Sequence, residues 1–216
     1  MIKILVVLIL ISSMVHAARI TVGPGDEDYP QIQMAIDNST KGDIIEVHSG
    51  TYQEKLRVRK SVTLMGVDTG DGLPVINANK TGSAITLKAN GSTIEGLNLT
   101  GSGKCGCGDA GIRVMSSDNT IQNNILYNNK YGIYVPSGYI NNTFISNNFI
   151  GNKIAAYDQA NNSWNCSIEG RGNYYSDYDE TDEGCNDTDD DGFCDLPKKI
   201  EGGSGIDWYP STMPCL

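Results

Sequence analysis

The sequence predicts an all-β fold: a short parallel β-helix of about five rungs, with an N-terminal capping helix and a calcium-binding C-terminal cap. Three observations carry this. Alternating apolar segments recur at a near-constant offset through residues 84–152, Asn, Gly and Ser punctuate them, and one amphipathic helical segment precedes them.

The repeat is read by superposition. AITLKANGSTIEGLNL (84–99) aligns with GIRVMSSDNTIQNNIL (111–126), setting Ile85 over Ile112, Leu87 over Val114, Ile94 over Ile121 and Leu99 over Leu126. GIYVPSGYINNTFISNNFIGN (132–152) continues the pattern, with Ile133 over Ile112 and Asn147-Asn148 over Asn123-Asn124. Offsets of 21 to 27 residues with period-two alternation indicate strands in a solenoid, and the leucine pattern and helices of leucine-rich repeats are missing. Inward Ile, Val and Leu would stack from rung to rung. Asn suits the tight turns because it tolerates left-handed backbone, and repeated Asn at one turn can form a side-chain ladder. Residues 42–67 supply a first rung and 152–164 a last, at about 4.8 Å per rung.

Such a column needs covers for its ends. DYPQIQMAIDNS (28–39) is the helix candidate, with Pro30 in its first turn and Ile32, Ala35 and Ile36 on one face. It is expected over the N-terminal end. The segment from about Asn165 onward would close the other.

The start of the chain has the form of an export signal: Lys3, an apolar run from Ile4 to Leu10, then Val15-His16-Ala17 at a cleavage site, with a retained anchor as the alternative. The expected organisation is therefore 1–17 signal, 18–164 β-helix with its N-terminal cap, and 165–216 C-terminal cap. No later stretch is apolar enough to span a membrane, and export favours disulfides. Eight Asn-x-Ser/Thr sequons begin at Asn38, Asn79, Asn90, Asn98, Asn141, Asn161, Asn165 and Asn186. They fit a glycosylated surface protein, or an Asn-rich fold that generates them incidentally.

Net charge is −10, and ten acidic residues fall between Asp177 and Asp195 without a Lys or Arg. The rest of the chain after residue 17 is near balance, and nothing points to nucleic acid. Within CNDTDDDGFCD (185–195), Asp187, Asp189 and Asp191 alternate, Gly192 allows a sharp turn, the Phe193 carbonyl follows and Asp195 takes the ninth position. Alternate carboxylates around a turn suit a hard cation, so the expected cofactor is a structural calcium ion (Ca2+). Lys198 stands where an EF-hand needs Glu, which excludes that motif. The loop looks more like the D-x-D-x-D-G-x-x-D loops of extracellular calcium repeats. Cys185 and Cys194 flank it and would close it as a disulfide. Cys105 and Cys107 are expected to pair with Cys166 and Cys215 in an open order. A soft-metal site at C-x-C and intermolecular bridges are the alternatives.

The run from Ile20 to Val67 resembles the entry to right-handed parallel β-helix proteins of the pectate-lyase-like kind. The tail is similar to that of NosD-like proteins, abundant among exported and surface proteins of methanogenic archaea. Gly172, Asn173, Tyr174, Tyr175, Ser176, Asp177 and Tyr178 match a G-N-Y-[WY]-S-D-Y element, and Asp207, Tyr209 and Pro210 match a D-x-Y-P ending. Tyr175 replaces a common Trp, and Cys185 and Cys194 are additions. The family name implies copper delivery, and the wider class implies carbohydrate binding or sugar hydrolysis.

For copper the chain offers His48 and the scattered Met34, Met65, Met115 and Met213. For lyase or hydrolase chemistry no carboxylate pair falls in register, since Asp118 aligns with Gly91 and with Ile140 or Asn141, leaving Arg113 and Asp109. The main expectation is a non-catalytic surface module that binds carbohydrate or serves the envelope structurally. Tyr127, Tyr131, Tyr134, Tyr139, Tyr157 and Trp164 would form an outward aromatic strip for ligand. Glycans, envelope proteins or further copies of the chain are the expected partners.

Overall fold

The computed structural model describes residues 17–215, so the export-signal segment lies almost wholly outside the described residues. The chain winds through three parallel sheets in turn. The first sheet has six strands: Arg19–Val22, Ile44–His48, Thr63–Val67, Thr93–Glu95, Thr120–Gln122 and Thr143–Ile145. The second also has six: Thr51–Tyr52, Val75–Asn77, Asn98–Thr100, Ile125–Tyr127, Asn148–Ile150 and Tyr174–Tyr175. The third has five: Leu56–Val58, Ile85–Leu87, Ala110–Val114, Tyr131–Val135 and Ile154–Asp158.

About seven turns result, against the five expected. The extra two are partial turns at the ends. Arg19–Val22 adds to the first sheet above Ile44–His48, and at the other end Tyr174–Tyr175 adds to the second sheet while Ser163 bridges to Thr143. The C-terminal cap is therefore continuous with the column.

The expected register holds: Ile85, Ile112 and Ile133 are neighbours in the third sheet, Ile94 and Ile121 in the first, Leu99 and Leu126 in the second. The Asn pair is off by one. Asn148 lies beside Ile125, and Asn147 beneath Asn124. Inward side chains are fully buried along each sheet, Ile45, Leu64, Ile94, Ile121 and Phe144 being one file. Burying each such aliphatic side chain contributes about 1.5–3 kcal/mol.

Every corner of the central coils follows one rule: a residue with positive φ, then a residue that bonds the next turn. The left-handed positions are Gly91, Asp118 and Asn141 at one corner, Gly96, Asn123 and Ser146 at the second, and Gly101, Asn128 and Gly151 at the third. Asn after such a residue builds the ladders. The Asn147 Oδ1 accepts from Asn124 N–H at 3.1 Å and from its Nδ2 at 3.0 Å, and Asn147 repeats both bonds to Asn173 Oδ1, each at 3.0 Å. Asn119, Asn142 and Asn162 form a parallel ladder. Buried amides are thereby satisfied without water.

The helix Ile32–Asn38 covers the N-terminal end with Ile32, Ala35 and Ile36 buried. Gln31 supplies no side-chain cap; Glu54, from the adjacent turn, accepts the Ile32 and Gln33 N–H groups, both at 2.9 Å. No helix among the described residues is long and apolar enough to cross a membrane.

Candidate functional site

Two regions carry chemistry: the outward face of the third sheet and the acidic loop of the cap. On the third sheet, alternation turns Arg57, Thr86, Arg113, Tyr134 and Tyr157 outward in one file, each in register with the next. Tyr134 and Tyr157 stack with ring centroids 5.3 Å apart and planes 4° from parallel, and Tyr131 tilts against both. The Arg113 guanidinium lies 5.9 Å from the Tyr134 ring centre, and its Nε is buried with no hydrogen-bond partner.

Each of the two stacked rings has one face taken by the other. A Cβ on Gly108 would lie 2.6 Å from Tyr134 Cε1, and one on Gly202 would lie 3.0 Å from Tyr157, so glycine backbone packs against each tyrosine. The file presents hydroxyls and guanidinium groups, which donate hydrogen bonds, beside apolar ring edges.

The expected strip is accordingly smaller than six residues. Tyr131, Tyr134 and Tyr157 cluster. Tyr127 is on the second sheet, away from them, and Tyr139 packs against the core. Trp164 is fully buried, its ring stacked 4.1 Å from Phe144 and its Nε1–H donated to Asp158 at 3.0 Å. It plugs the column and is not available to ligand. Nothing in its local sequence separates a plug from a platform.

Arg113 and Asp109 line one cavity of about 370 Å³ with Lys55, Arg57 and Thr86. Asp109 Oδ2 accepts the Cys105 N–H at 3.0 Å, so this carboxylate shapes the overhanging loop. That loop corrects the expected pairing: Cys105 is bridged to Cys107, while Cys166 and Cys215 are free thiols. Their neighbourhood explains it, since Cys105 and Cys107 sit on one tight exposed turn while Cys215 is fastened to Asn148 by two backbone hydrogen bonds.

In the acidic loop Cys185 is bridged to Cys194, and one carboxylate oxygen from each of Asp187, Asp189 and Asp191 lies within 4.8 Å of the others. Asp187 accepts the Asp191 and Gly192 N–H groups at 3.1 and 2.9 Å, and Asp191 accepts that of Phe193 at 2.9 Å. Gly192, with φ 89°, makes the turn. The charge of Asp191 holds the Asp189 carboxyl above its ordinary value, with burial and Asp195 adding to it. Asp195 turns away to Thr188, accepting its hydroxyl at 2.8 Å. Three converging hard oxygens of like charge can hold a divalent cation.

The cap also contains a group that the sequence reading left without a role. Asp207 is fully buried and ends the Asn124–Asn147–Asn173 ladder, accepting Asn173 N–H at 2.8 Å, Asn173 Nδ2 at 3.0 Å and the Tyr175 hydroxyl at 3.0 Å. Burial pushes its carboxyl up to about 6, against the hydrogen bonds that favour the charged form. Asp158 ends the other ladder beneath Asn162.

None of the eight sequon asparagines lies on a strand of the third sheet. Asn38, Asn79, Asn90, Asn141 and Asn161 are exposed and Asn165 and Asn186 partly so, whereas Asn98 sits in the second sheet with its amide nitrogen donated to Leu73.

A family model described as periplasmic copper-binding protein (NosD) matches residues 71–180, which include the last three full coils and the Gly172–Tyr178 element but stop short of the acidic loop. A protein named cell surface glycoprotein, from Methanothermus fervidus, is 35% identical over 127 residues, 57% of this chain. The chain spans about a fifth of that relative's length, 21%. Among solved structures, pectin methylesterase from Aspergillus niger aligns at 17% identity over 75% of this chain and 66% of its own, with a TM-score of 0.39. The donor set described above does not fit copper. Four cysteines are bridged, the free thiols Cys166 and Cys215 join no cluster of three donors, His48 Nδ1 is 2.9 Å from the Glu27 carboxylate, and the one converging cluster of three His, Cys, Asp or Glu among the described residues is all hard oxygen.

Proposed function

The chain belongs to the NosD family, and from that premise we propose that it is an exported cell-surface module whose third sheet binds carbohydrate and whose cap is held by a structural calcium ion. Surface location is supported by the relative named cell surface glycoprotein, by five exposed sequons and by the export-signal pattern. The observation that carries the binding role is the file Arg57, Thr86, Arg113, Tyr134 and Tyr157. It is a continuous row of outward donors, on the sheet that no sequon interrupts. Sugars are dense in acceptor oxygens, and a linear glycan laid along the column would meet one donor at each rung.

The test is a binding titration of the purified chain against a panel of neutral and acidic polysaccharides, with a Thr86→Trp variant that blocks the middle of the file. Saturable binding lost in the variant at unchanged melting temperature is expected. Binding that survives the block, or none across the panel, removes the proposed role.

A further inference from the structure

Resting on the carbohydrate reading, we infer that the preferred ligand is an acidic glycan, one bearing carboxylate or sulfate groups, which lies lengthwise between the third sheet and the corner that leads into it. The first reason is charge. The chain carries −10 overall, yet the cavity on the third sheet gathers Lys55, Arg57 and Arg113 against the single carboxylate of Asp109. A second cavity, about 360 Å³, lies along the corner and is lined by Lys104, Lys130 and Lys153 with no acid. The two adjoin through Gly103, whose N–H bonds the Gly82 carbonyl at 2.7 Å, Gly103 lining the second and Gly82 the first. Six cations thus face one carboxylate on one side of an acidic molecule.

The second reason is that these cations have no internal anion. None of the six is in a salt bridge among the described residues. Lys130 lies 5.4 Å from the Tyr131 ring centre and Arg113 over Tyr134, so both charges are steadied by aromatic rings that leave their donors free outward. Keeping like charges together without partners is unfavourable unless an anion completes them, and their rung-by-rung spacing suits a polymer with repeated charges better than a single small anion.

The third reason is that the rings are already engaged, Tyr134 and Tyr157 stacking on each other and Arg113 lying over Tyr134. Neutral sugar sites rely on stacking against open aromatic faces. With edges, hydroxyls and guanidinium groups presented, discrimination must come from charged acceptors, and Arg is suited to carboxylate and sulfate through paired N–H donors.

The experiment compares a polyuronate with the same polymer methyl-esterified, and with DNA of similar charge, using wild type and an Arg57→Gln/Arg113→Gln double variant. Tighter binding of the polyuronate than of the ester is expected, weakening as sodium chloride is raised. The double variant should lose roughly tenfold or more on the polyuronate, as expected for charge-assisted bonds, and little on the ester. Equal binding of acid and ester overturns the acidic preference while leaving carbohydrate binding in place. DNA bound as tightly as polyuronate overturns it in favour of a generic polyanion surface. Failure to bind either polymer overturns both this inference and the carbohydrate reading.

Discussion

The two ends of the column face the same problem, unpaired strand edges over an apolar interior, and close it with different chemistry. At the N-terminal end, the helix Ile32–Asn38 lays aliphatic side chains over the file, and the carboxylates of Glu54 and the buried Asp43 take the loose N–H groups. Glu54 caps the helix, and Asp43 accepts Ala18 N–H at 2.9 Å and Thr40 N–H at 2.6 Å. At the C-terminal end the file turns aromatic, Phe144 and Phe149 meeting Trp164 and Tyr175, and the amide ladders run on into buried carboxylates. A ladder passes its unsatisfied donors down to its last rung. Its end therefore needs an acceptor, which the carboxyl oxygens of Asp supply.

The largest expected effect separates the ends directly. Asp207→Ala leaves two Asn173 donors and the Tyr175 hydroxyl unanswered in a dry site and should lower the unfolding free energy by about 3 kcal/mol or more. Asp43→Ala, buried itself but directly beneath the exposed residues Thr40, Lys41 and Gly42, opens the site to water that replaces the lost acceptor and should cost about 1 kcal/mol. Denaturant titration of the two variants measures the gap, and equal losses would erase the distinction.

Proton linkage gives the ends opposite signs. The folded pKa of Asp207, about 6, lies above its unfolded value of 3.8, so its stabilising contribution is complete below about pH 3.8 and is lost as pH rises through 6. Two pH units correspond to about 3 kcal/mol at most. At the N-terminal end Asp28 and Asp43 are held below their ordinary value by backbone N–H groups, first those of Thr21 and Thr40. Their contribution is present above about pH 3.8 and is lost only at lower pH. Hydrogen exchange at 173–175 should therefore slow from pH 7 to pH 4.5, after correction for intrinsic rates, while protection at 19–22 stays level. Asp207→Asn should abolish the first trend, and a pH-independent wild type would contradict it.

What could be read in advance follows the same division. Repetition made the coils legible: Ile85, Ile112 and Ile133 could be superposed because each performs the same packing task one turn further on. The helix was visible through the spacing of Ile32, Ala35 and Ile36. The ends were harder because they are where the repeat stops. RITV at 19–22 precedes a Gly- and Pro-containing loop and falls outside the period, and Tyr174–Tyr175 joins the second sheet after a 23-residue detour from Ile150, the interval being set by the cap. Asp207 was recognised only as part of a motif, since nothing local marks an aspartate as a ladder's final acceptor. Trp164 was misread for the same reason. The binding file emerged only with the register, because Arg57, Thr86, Arg113, Tyr134 and Tyr157 are unevenly spaced in the chain.

Within the ladder itself, Asn147→Ala should cost about 2 kcal/mol. It removes the acceptor for both Asn124 donors and the donor to the Ile121 carbonyl, which accepts at 2.9 Å. The loss should propagate toward the C-terminal end, appearing as faster exchange at Asn173, one coil below, than at Leu97, two coils above. Uniform loosening in both directions would mean that the carboxylate terminus does not organise the ladder.

The smallest effect concerns the acidic loop. At ~5 mM calcium and a dissociation constant of ~10⁻⁴–10⁻³ M, linkage predicts about 1–2 kcal/mol of added stability, confined to the C-terminal end. The Cys185–Cys194 bridge already holds the loop closed, so the ion has less disorder to remove. Asp189→Asn gives the decisive sign. Asp189 is repelled chiefly by Asp191, so without the metal its neutralisation should leave melting unchanged or slightly raised. With calcium present the same change removes a charged ligand and should lower melting relative to wild type. A variant that melts alike with calcium and with chelator, beside a wild type that does the same, would reduce the three aspartates to a solvated turn and leave the buried carboxylates Asp158 and Asp207 to close the cap.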